Sequence, residues 1–246
     1  MHWGRAKNVL IYAFLLLNLV LGYQLWMDKQ DQASANLDLT SLAESTQRSM
    51  DEKQIQVRAQ IPAETPALPK INYRLLKPGS KEPVKLAEPV DSRLIFNSKD
   101  LVSALEAQIP SIGNYRYDQE SSGDSVFVLH PLALEEWPLF NINLELNYSN
   151  QKVLSYRLEA IEVVQMDEEK MQQVLPASKA LGFLIDKFLP PKTIVTDIEL
   201  GYYGQVFNSD AQVAAPAWRF TLGNGEKYYV LGSGDVISPD AEKIKE

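Results

Sequence analysis

The chain contains no cysteine in its 246 residues. That excludes disulfides, thiol nucleophiles, thiolate zinc sites and lipid attachment through sulfur. Histidine is nearly as scarce, with only His2 and His130, so paired-His metal sites and the usual hydrolase triads start from a poor inventory. There is no long basic run, and 24 Lys+Arg stand against 32 Asp+Glu for a formal net charge of -8. A nucleic-acid binder needs a cationic footprint to displace counterions from phosphate, so nucleic acid is not an expected partner. A phosphate-cradling loop is also missing: Gly201-x-x-Gly204 and Gly232-Ser233-Gly234 lack the strand–turn–helix setting of a dinucleotide site. No segment alternates Asp/Asn ligands around a Gly as a calcium loop requires. Neither a cofactor nor a small-molecule ligand is expected.

What is present is most pronounced near the N-terminus. Residues 1–8 are short and basic, with Arg5 and Lys7, and residues 9–26 (VLIYAFLLLNLVLGYQLW) carry no charge. As a helix those residues span roughly 27 Å at ~1.5 Å each, close to a hydrocarbon core of ~30 Å. Tyr23 and Trp26 sit at the far end, where amphipathic rings favour the headgroup layer, and the basic flank predicts a cytoplasmic residue 1–8 tail, a transmembrane helix over 9–27, and the remainder outside. The alternative is a cleaved signal peptide. Its A-x-A-like site, Ala33-Ser34-Ala35, lies about eleven residues beyond Gly22 across a polar stretch, which favours a retained anchor. Within the span, Ile11, Leu15, Asn18, Gly22 and Leu25 share one helical face. An amide beside a small residue there suits contact with a partner helix, or the Asn18 amide bonds its own backbone.

The rest predicts an α+β protein: after the transmembrane helix come two tandem modules, each a small antiparallel sheet with a packed helix. Residues 28–90 read as a juxtamembrane helix over 36–53, capped by Asp38 or Thr40, then short strands at 54–61 and 70–77 and a segment with six prolines between Pro62 and Pro89. The first module is placed at 91–137, with strands borrowed from 54–77. Its helix is capped by Ser98 and runs to about Ile109 with Leu101, Val102, Leu105 and Ile109 inward, followed by strands at 115–119 and 125–129. The second module is placed at 138–246. In 140–148, Phe140, Ile142, Leu144, Leu146 and Tyr148 alternate with polar residues, as in a half-buried strand. The return strand over 152–164 changes phase near Ala160, which suggests a bulge. A helical turn is expected over 168–175 behind Asp167. A helix to about Leu189 follows from Pro176, with Ala177, Ala180, Leu181, Leu184 and Phe188 inward. Strands at 193–203, 217–222 and 227–231 close the chain, the last two joined at Asn224-Gly225.

Candidate chemistry is sparse. His130, beside Pro131, reads as an ordinary surface or core histidine more than a general base. Glu135-Glu136 and Asp167-Glu168-Glu169 are the carboxylate clusters. Glycosidase carboxylates face each other across ~5–9 Å, whereas neighbours along a turn solvate a surface. Tyr202, Tyr203, Trp218, Phe220, Tyr228 and Tyr229 crowd the C-terminal strands. Adjacent tyrosines in a strand point to opposite faces, which leaves either a core alone or a core plus a contact surface made by Tyr203, Trp218 and Tyr229.

Four segments carry a family resemblance: the opening MHWGRAKNVLIYAFLLLNLVLGYQL, IELGYYGQ at 198–205, PAWRF at 216–220 and KYYVLGSGDVI at 227–237. Over nearly the whole chain, in order and length, the sequence resembles the YycI family of membrane-anchored accessory proteins of the WalK/WalR (YycG/YycF) two-component system in Gram-positive bacteria. The resemblance implies a single-pass cell-membrane protein with an extracellular domain of two related modules. It also implies a complex with a WalK-like sensor histidine kinase and a YycH-like sister protein, tuning signalling for cell-wall metabolism, with no catalytic residues to carry over. An inhibitor or chaperone-like binding module, secreted or anchored, is the alternative, and a cell-wall hydrolase is less favoured by the residue inventory.

The charge asymmetry around residues 9–26 sets the first test. External protease applied to intact protoplasts should degrade the part beyond about residue 28, and full protection would sink the expected topology.

Overall fold

The computed structural model describes residues 12, 14–18, 42–76, 82–166, 171–205 and 211–239. Residues 14–18 are helical and exposed, and the rest of the expected span lies outside the described residues. Among the described residues no helix is long and apolar enough to cross a membrane.

The architecture is α+β. The larger sheet joins β1 (Gln56–Val57), β3 (Ile71–Leu75), β10 (Ile161–Met166), β12 (Ile194–Gln205), β13 (Ala211–Leu222), β14 (Lys227–Leu231) and β15 (Val236–Ile237). The smaller sheet runs in the order β4 (Val84–Asp91), β9 (Lys152–Leu158), β8 (Leu144–Ser149), β6 (Val126–Ala133) and β5 (Tyr115–Asp118), with β7 (Trp137–Pro138) paired to β6. A third pairing joins β2 (Ala67–Leu68) to β11 (Gln172–Gln173). Besides the helical residues 14–18, the α-helices among the described residues are α1 (Glu44–Lys53), α2 (Ser98–Leu105) and α3 (Ala177–Lys187).

The centre of the larger sheet is β13. It pairs with β12 along nearly its whole length, while its other edge is shared: β14 takes Ala217–Thr221 and β3 takes Ala211–Ala214. Pro216 sits at the changeover, where a residue without an N–H leaves no donor unused. One face of this sheet is buried under α3. Ala177, Ala180, Leu181, Leu184 and Ile185 are fully buried among Leu200, Trp218 and Phe220. α1 lies beside α3, and two contacts fix it there. Gly182 lets Thr46 approach, since a Cβ on Gly182 would stand 3.2 Å from Thr46 Oγ1. Lys53 Nζ donates to the Ile185 and Asp186 carbonyls, satisfying acceptors that the C-terminus of α3 leaves free. The smaller sheet has its own core, in which Leu101 and Leu105 of α2, with Ile109 and Ile112, meet Leu129, Leu144, Leu146 and Val153.

Several expectations change. The strands at 54–77, assigned to the first module, pair instead in the larger sheet with β10, β12 and β13. The hairpin of β8 and β9, assigned to the second module, belongs to the smaller sheet. Both helices α1 and α3 therefore cover one sheet. The phase change near Ala160 is no bulge but the point where the chain leaves β9 and enters β10 in the other sheet, so the buried face changes with it. The strand expected over 140–148 is a strand only from Leu144. Ahead of it Phe140 donates its N–H to the Tyr202 carbonyl at 2.9 Å, so Phe140 and Ile142 are buried against the larger sheet's side of the molecule.

The Pro-rich segment hides a strand. β4 includes Pro89 because it is an edge strand with a register shift between Lys85 and Val90. Gln172 and Gln173 form a strand where a helical turn was expected; Asp167 lies outside the described residues. Asn97, not Ser98, caps α2. No side chain caps α1 at Ala43, and the expected caps Asp38 and Thr40 lie outside the described residues. Phe188, expected inward, is 42% exposed at the end of α3, and Ile185 takes the inner position.

Gly201 marks the closest approach of the two sheets' connecting chain. A Cβ there would stand 2.5 Å from the Pro138 carbonyl and 2.6 Å from the Phe140 ring. Gly201→Ala should cost about 1–3 kcal/mol, read as a lower denaturant midpoint at unchanged slope. Gly232→Ala, with nothing within 4 Å of the new methyl, should be near neutral.

Candidate functional site

The charged residues that sequence patterns leave unexplained converge between the two sheets. Arg219, from the middle of β13, is 1% exposed. A buried guanidinium requires partners, and β13 supplies none along its own strand. They come from β12 and β5. Arg219 Nη1 donates to Asp118 Oδ2, Nη2 donates to Asp118 Oδ1 at 3.2 Å, and Nη2 also reaches Glu199 Oε2 at 2.6 Å. Its Cζ lies 4.6 Å from the centroid of the Phe140 ring, close enough for attraction between cation and π face.

Asp118 collects further donors: the Ser121 hydroxyl, the Glu120 N–H at 3.0 Å and His130 Nε2 at 3.0 Å. His130 Nδ1 faces the Ile142 carbonyl at 2.9 Å. Both ring nitrogens thus stand against acceptor oxygens. Arg116 of β5 closes the group from its exposed side by pairing with Glu199.

The electrostatics of the two carboxylates diverge. Burial alone would raise the Asp118 carboxyl; hydrogen bonds from His130 and Arg219, with the Arg219 charge, outweigh it and hold the group well below the usual carboxylate range. Burial raises Glu199, and the charges of Arg219 and Arg116 offset that only in part.

The order of these groups decides what they can do. A hydrolytic triad places histidine between nucleophile and carboxylate, so that the imidazole takes the hydroxyl proton. Here Asp118 lies between Ser121 and His130, and Ser121 Oγ also accepts from Lys227 Nζ at 2.8 Å. Ser121 donates to a carboxylate held well below the usual range and not to an imidazole, and His130 is 3% exposed. The arrangement clamps two sheets together.

Glu135 and Glu136 are exposed in the turn after β6, away from His130's two contacts. Glu168 and Glu169 lie outside the described residues, as do Ile11, Gly22 and Leu25 of the expected helix face; Leu15 and Asn18 are described and exposed. Among the described residues, no three His, Asp or Glu side chains group to hold a metal ion. Tyr203, Trp218 and Tyr229, expected as a contact surface, are 5%, 2% and 5% exposed. Their alternation is real, but both faces of the larger sheet are covered here. Trp218 points toward α3 and donates its indole N–H to the Leu175 carbonyl at 2.6 Å. Tyr203 and Tyr229 point the other way and pack together with Phe140.

The clamp itself was missed in the sequence. Its signal is Arg219 between Trp218 and Phe220, a charge inside a strand whose neighbours are buried.

Compared with known proteins, the chain matches the model of the YycI protein family over residues 68–231, about two thirds of its length. No curated protein matches it. Among solved structures, a similar chain is an uncharacterized protein from Eubacterium rectale, with 14% identity and a TM-score of 0.33. The match covers 46% of this chain and 37% of that one, so it spans little more than a third of that protein.

The clamp has a pH signature. Asp118 is depressed, so its contribution to stability is complete above its unfolded value of ~3.9 and is lost as pH falls through the folded value. Glu199 has the opposite sign: raised, it favours the fold below its unfolded value of ~4.3 and loses that contribution as pH rises through the folded one. Stability should therefore drop on acidification below about pH 4, where Asp118 dominates. Asp118→Asn should be weaker by about 3–5 kcal/mol at neutral pH and should show a smaller acid drop. Denaturant midpoints between pH 7 and pH 2 test both.

Proposed function

We propose that this chain, which belongs to the YycI family, is a membrane-anchored, non-catalytic regulator that binds a WalK-like sensor histidine kinase and a YycH-like sister protein. Family membership carries the general role of an accessory regulator in two-component signalling. The observation that supports it is the extent of the match: residues 68–231 run from β2 to the end of β14 and include every residue of the clamp. In our reading the uncharged stretch at 9–26 holds the protein in the cell membrane with its N-terminus in the cytoplasm. The folded part then lies outside the cell, where the signalling governs cell-wall metabolism.

In this reading the partner contacts are made in the membrane and outside it. Asn18 and Gly22 share the face best suited to a partner helix, since an amide in lipid seeks a hydrogen bond and a small residue admits a close neighbour.

The test is crosslinking in membranes from sites in the span, with the kinase and the sister protein identified by mass spectrometry. Interhelical hydrogen bonds in membranes average ~0.6 kcal/mol and reach ~2. Asn18→Leu combined with Gly22→Leu should thus lower crosslinking by a few-fold to about thirtyfold, with insertion unchanged. Leu19→Ala, off that face, should have a smaller effect. Equal yields for wild type and double variant would assign all partner contact to the folded domain.

A further inference from the structure

The outer edge of β12 is covered at both ends and open between them. At one end β1 pairs in parallel with Ile194 and Val195, and the Arg58 N–H donates to the Val195 carbonyl at 2.8 Å. At the other end the Tyr202 carbonyl accepts from the Phe140 N–H, and the Gly204 N–H donates to Asn141 Oδ1 at 2.8 Å. In an antiparallel ladder every second residue turns its N–H and C=O away from the partner strand. The register shift between Val195 and Asp197 moves that phase by one. The outward-facing set is therefore Val195, then Ile198, Leu200, Tyr202 and Gly204. The first and the last two have the partners just named. Among the described residues, the N–H groups of Ile198 and Leu200 donate to nothing.

Space is available at this edge. Two grooves of about 580 and 720 Å³ meet at Ile198, with Pro62 and Glu64 lining both. The segment running past carries Pro62 and Pro66 and forms no strand there, so it leaves the edge unpaired. Charge is one-sided. The carboxylates of Glu64, Glu136, Asp197 and Glu199 line the grooves against the guanidinium groups of Arg58 and Arg116, and Arg116 is already paired with Glu199. Burial raises the Glu199 carboxyl in spite of its arginine neighbours, so a further cation would favour its charged form.

We propose that the Ile198–Leu200 edge of β12 receives an extended, basic segment of a partner protein as an added β-strand. Ile198 and Leu200 each offer one donor and one acceptor to the incoming backbone, and Lys or Arg side chains beside them meet Glu64 and Glu136, which are both exposed. A three-residue stretch spans about 10 Å, which suits an opening bounded at Val195 and Tyr202. The assignment rests on the reading that this protein works by binding other proteins, and it places one such contact in the folded domain.

The purified full chain is titrated with three labelled peptides: acetyl-Lys-Val-Lys-Val-Lys-amide, its Glu-Val counterpart, and the Lys-Val peptide with alternate backbone nitrogens methylated. The Lys-Val peptide should slow amide exchange at Ile198 and Leu200 roughly tenfold or more, and its binding should weaken several-fold between about 50 and about 300 mM salt. N-methylation should weaken binding roughly tenfold, equal to ~1.4 kcal/mol or one to two net hydrogen bonds. The Glu-Val peptide should not bind. Ile198→Pro, which deletes an outward donor while keeping the ladder to β13, should abolish the protection at Leu200. Should that variant not fold, Glu64→Lys with Glu136→Lys should weaken the Lys-Val peptide at least tenfold in a folded protein. Equal binding of the methylated peptide, equal binding of the Glu-Val peptide, or no binding of the Lys-Val peptide to the folded chain would overturn the proposal. Any of these alongside intact, Asn18-dependent crosslinking would leave the proposed function standing and remove only this edge.

Discussion

The relative placement of the two sheets depends on one buried ion pair, Arg219 of β13 with Asp118 of β5. Moving either charge out of water costs several kcal/mol, and the attraction between them offsets that only with good geometry and further hydrogen bonds. Both conditions hold. Asp118 accepts from two arginine nitrogens, a histidine, a hydroxyl and a backbone N–H. Glu199 accepts from Nη2 as well, and the buried Nε has no hydrogen-bond partner among the described residues. Since the partners stand on different sheets, sliding or separation of the sheets would leave a buried charge unpaired. The cluster therefore selects one arrangement more than it adds net stability.

Chain connectivity reinforces that selection. The chain passes between the sheets after β3, around residues 138–143 and again at Glu159–Ala160, where the Glu159 N–H still reaches Asn143 and the Ala160 carbonyl already accepts from Leu76. Gly201 and Gly204 exist for the second of these passages. A side chain at either would collide with Pro138, Phe140, Tyr73 or Asn141. The two modules are consequently interlaced, and a cut at residue 137 would strip the smaller sheet of β8 and β9 and the larger of β1 and β3.

This interlacing explains what the sequence could and could not reveal. Alternation exposed β8, and Pro176 located the start of α3, because each depends on residues a few positions apart. Alternation states that one face of a strand is buried but not which sheet the strand joins. The phase change at Ala160 was visible, and local pattern could not separate a bulge from a change of sheet. β4 was hidden by Pro89, tolerated only because the strand lies at an edge. For the site, Arg219 between Trp218 and Phe220 was a legible anomaly, whereas its partner Asp118 stands 101 positions away and no local rule connects them. Tyr203 and Tyr229 do point opposite to Trp218, as alternation requires; that this second face is also covered, by Phe140, is a tertiary fact.

The matched family region begins at residue 68, which leaves α1 and β1 before it. These two elements tie the N-terminal part of the chain to the core. Leu42 and Ile55 are buried at either end of α1, Thr46 packs on Gly182, and Lys53 caps α3 through two carbonyls while its own carbonyl accepts from the Lys192 N–H at 2.8 Å. β1 then adds to β12 through Gln56 and Arg58. A displacement arriving from the N-terminal side at Leu42 thus meets α3 and β12 first, the helix that covers the larger sheet and the strand that carries Glu199 of the clamp. Because the clamp allows one arrangement of the sheets, such a displacement would move them together as one body, and the edge of β12 at Ile198 and Leu200 would travel with it.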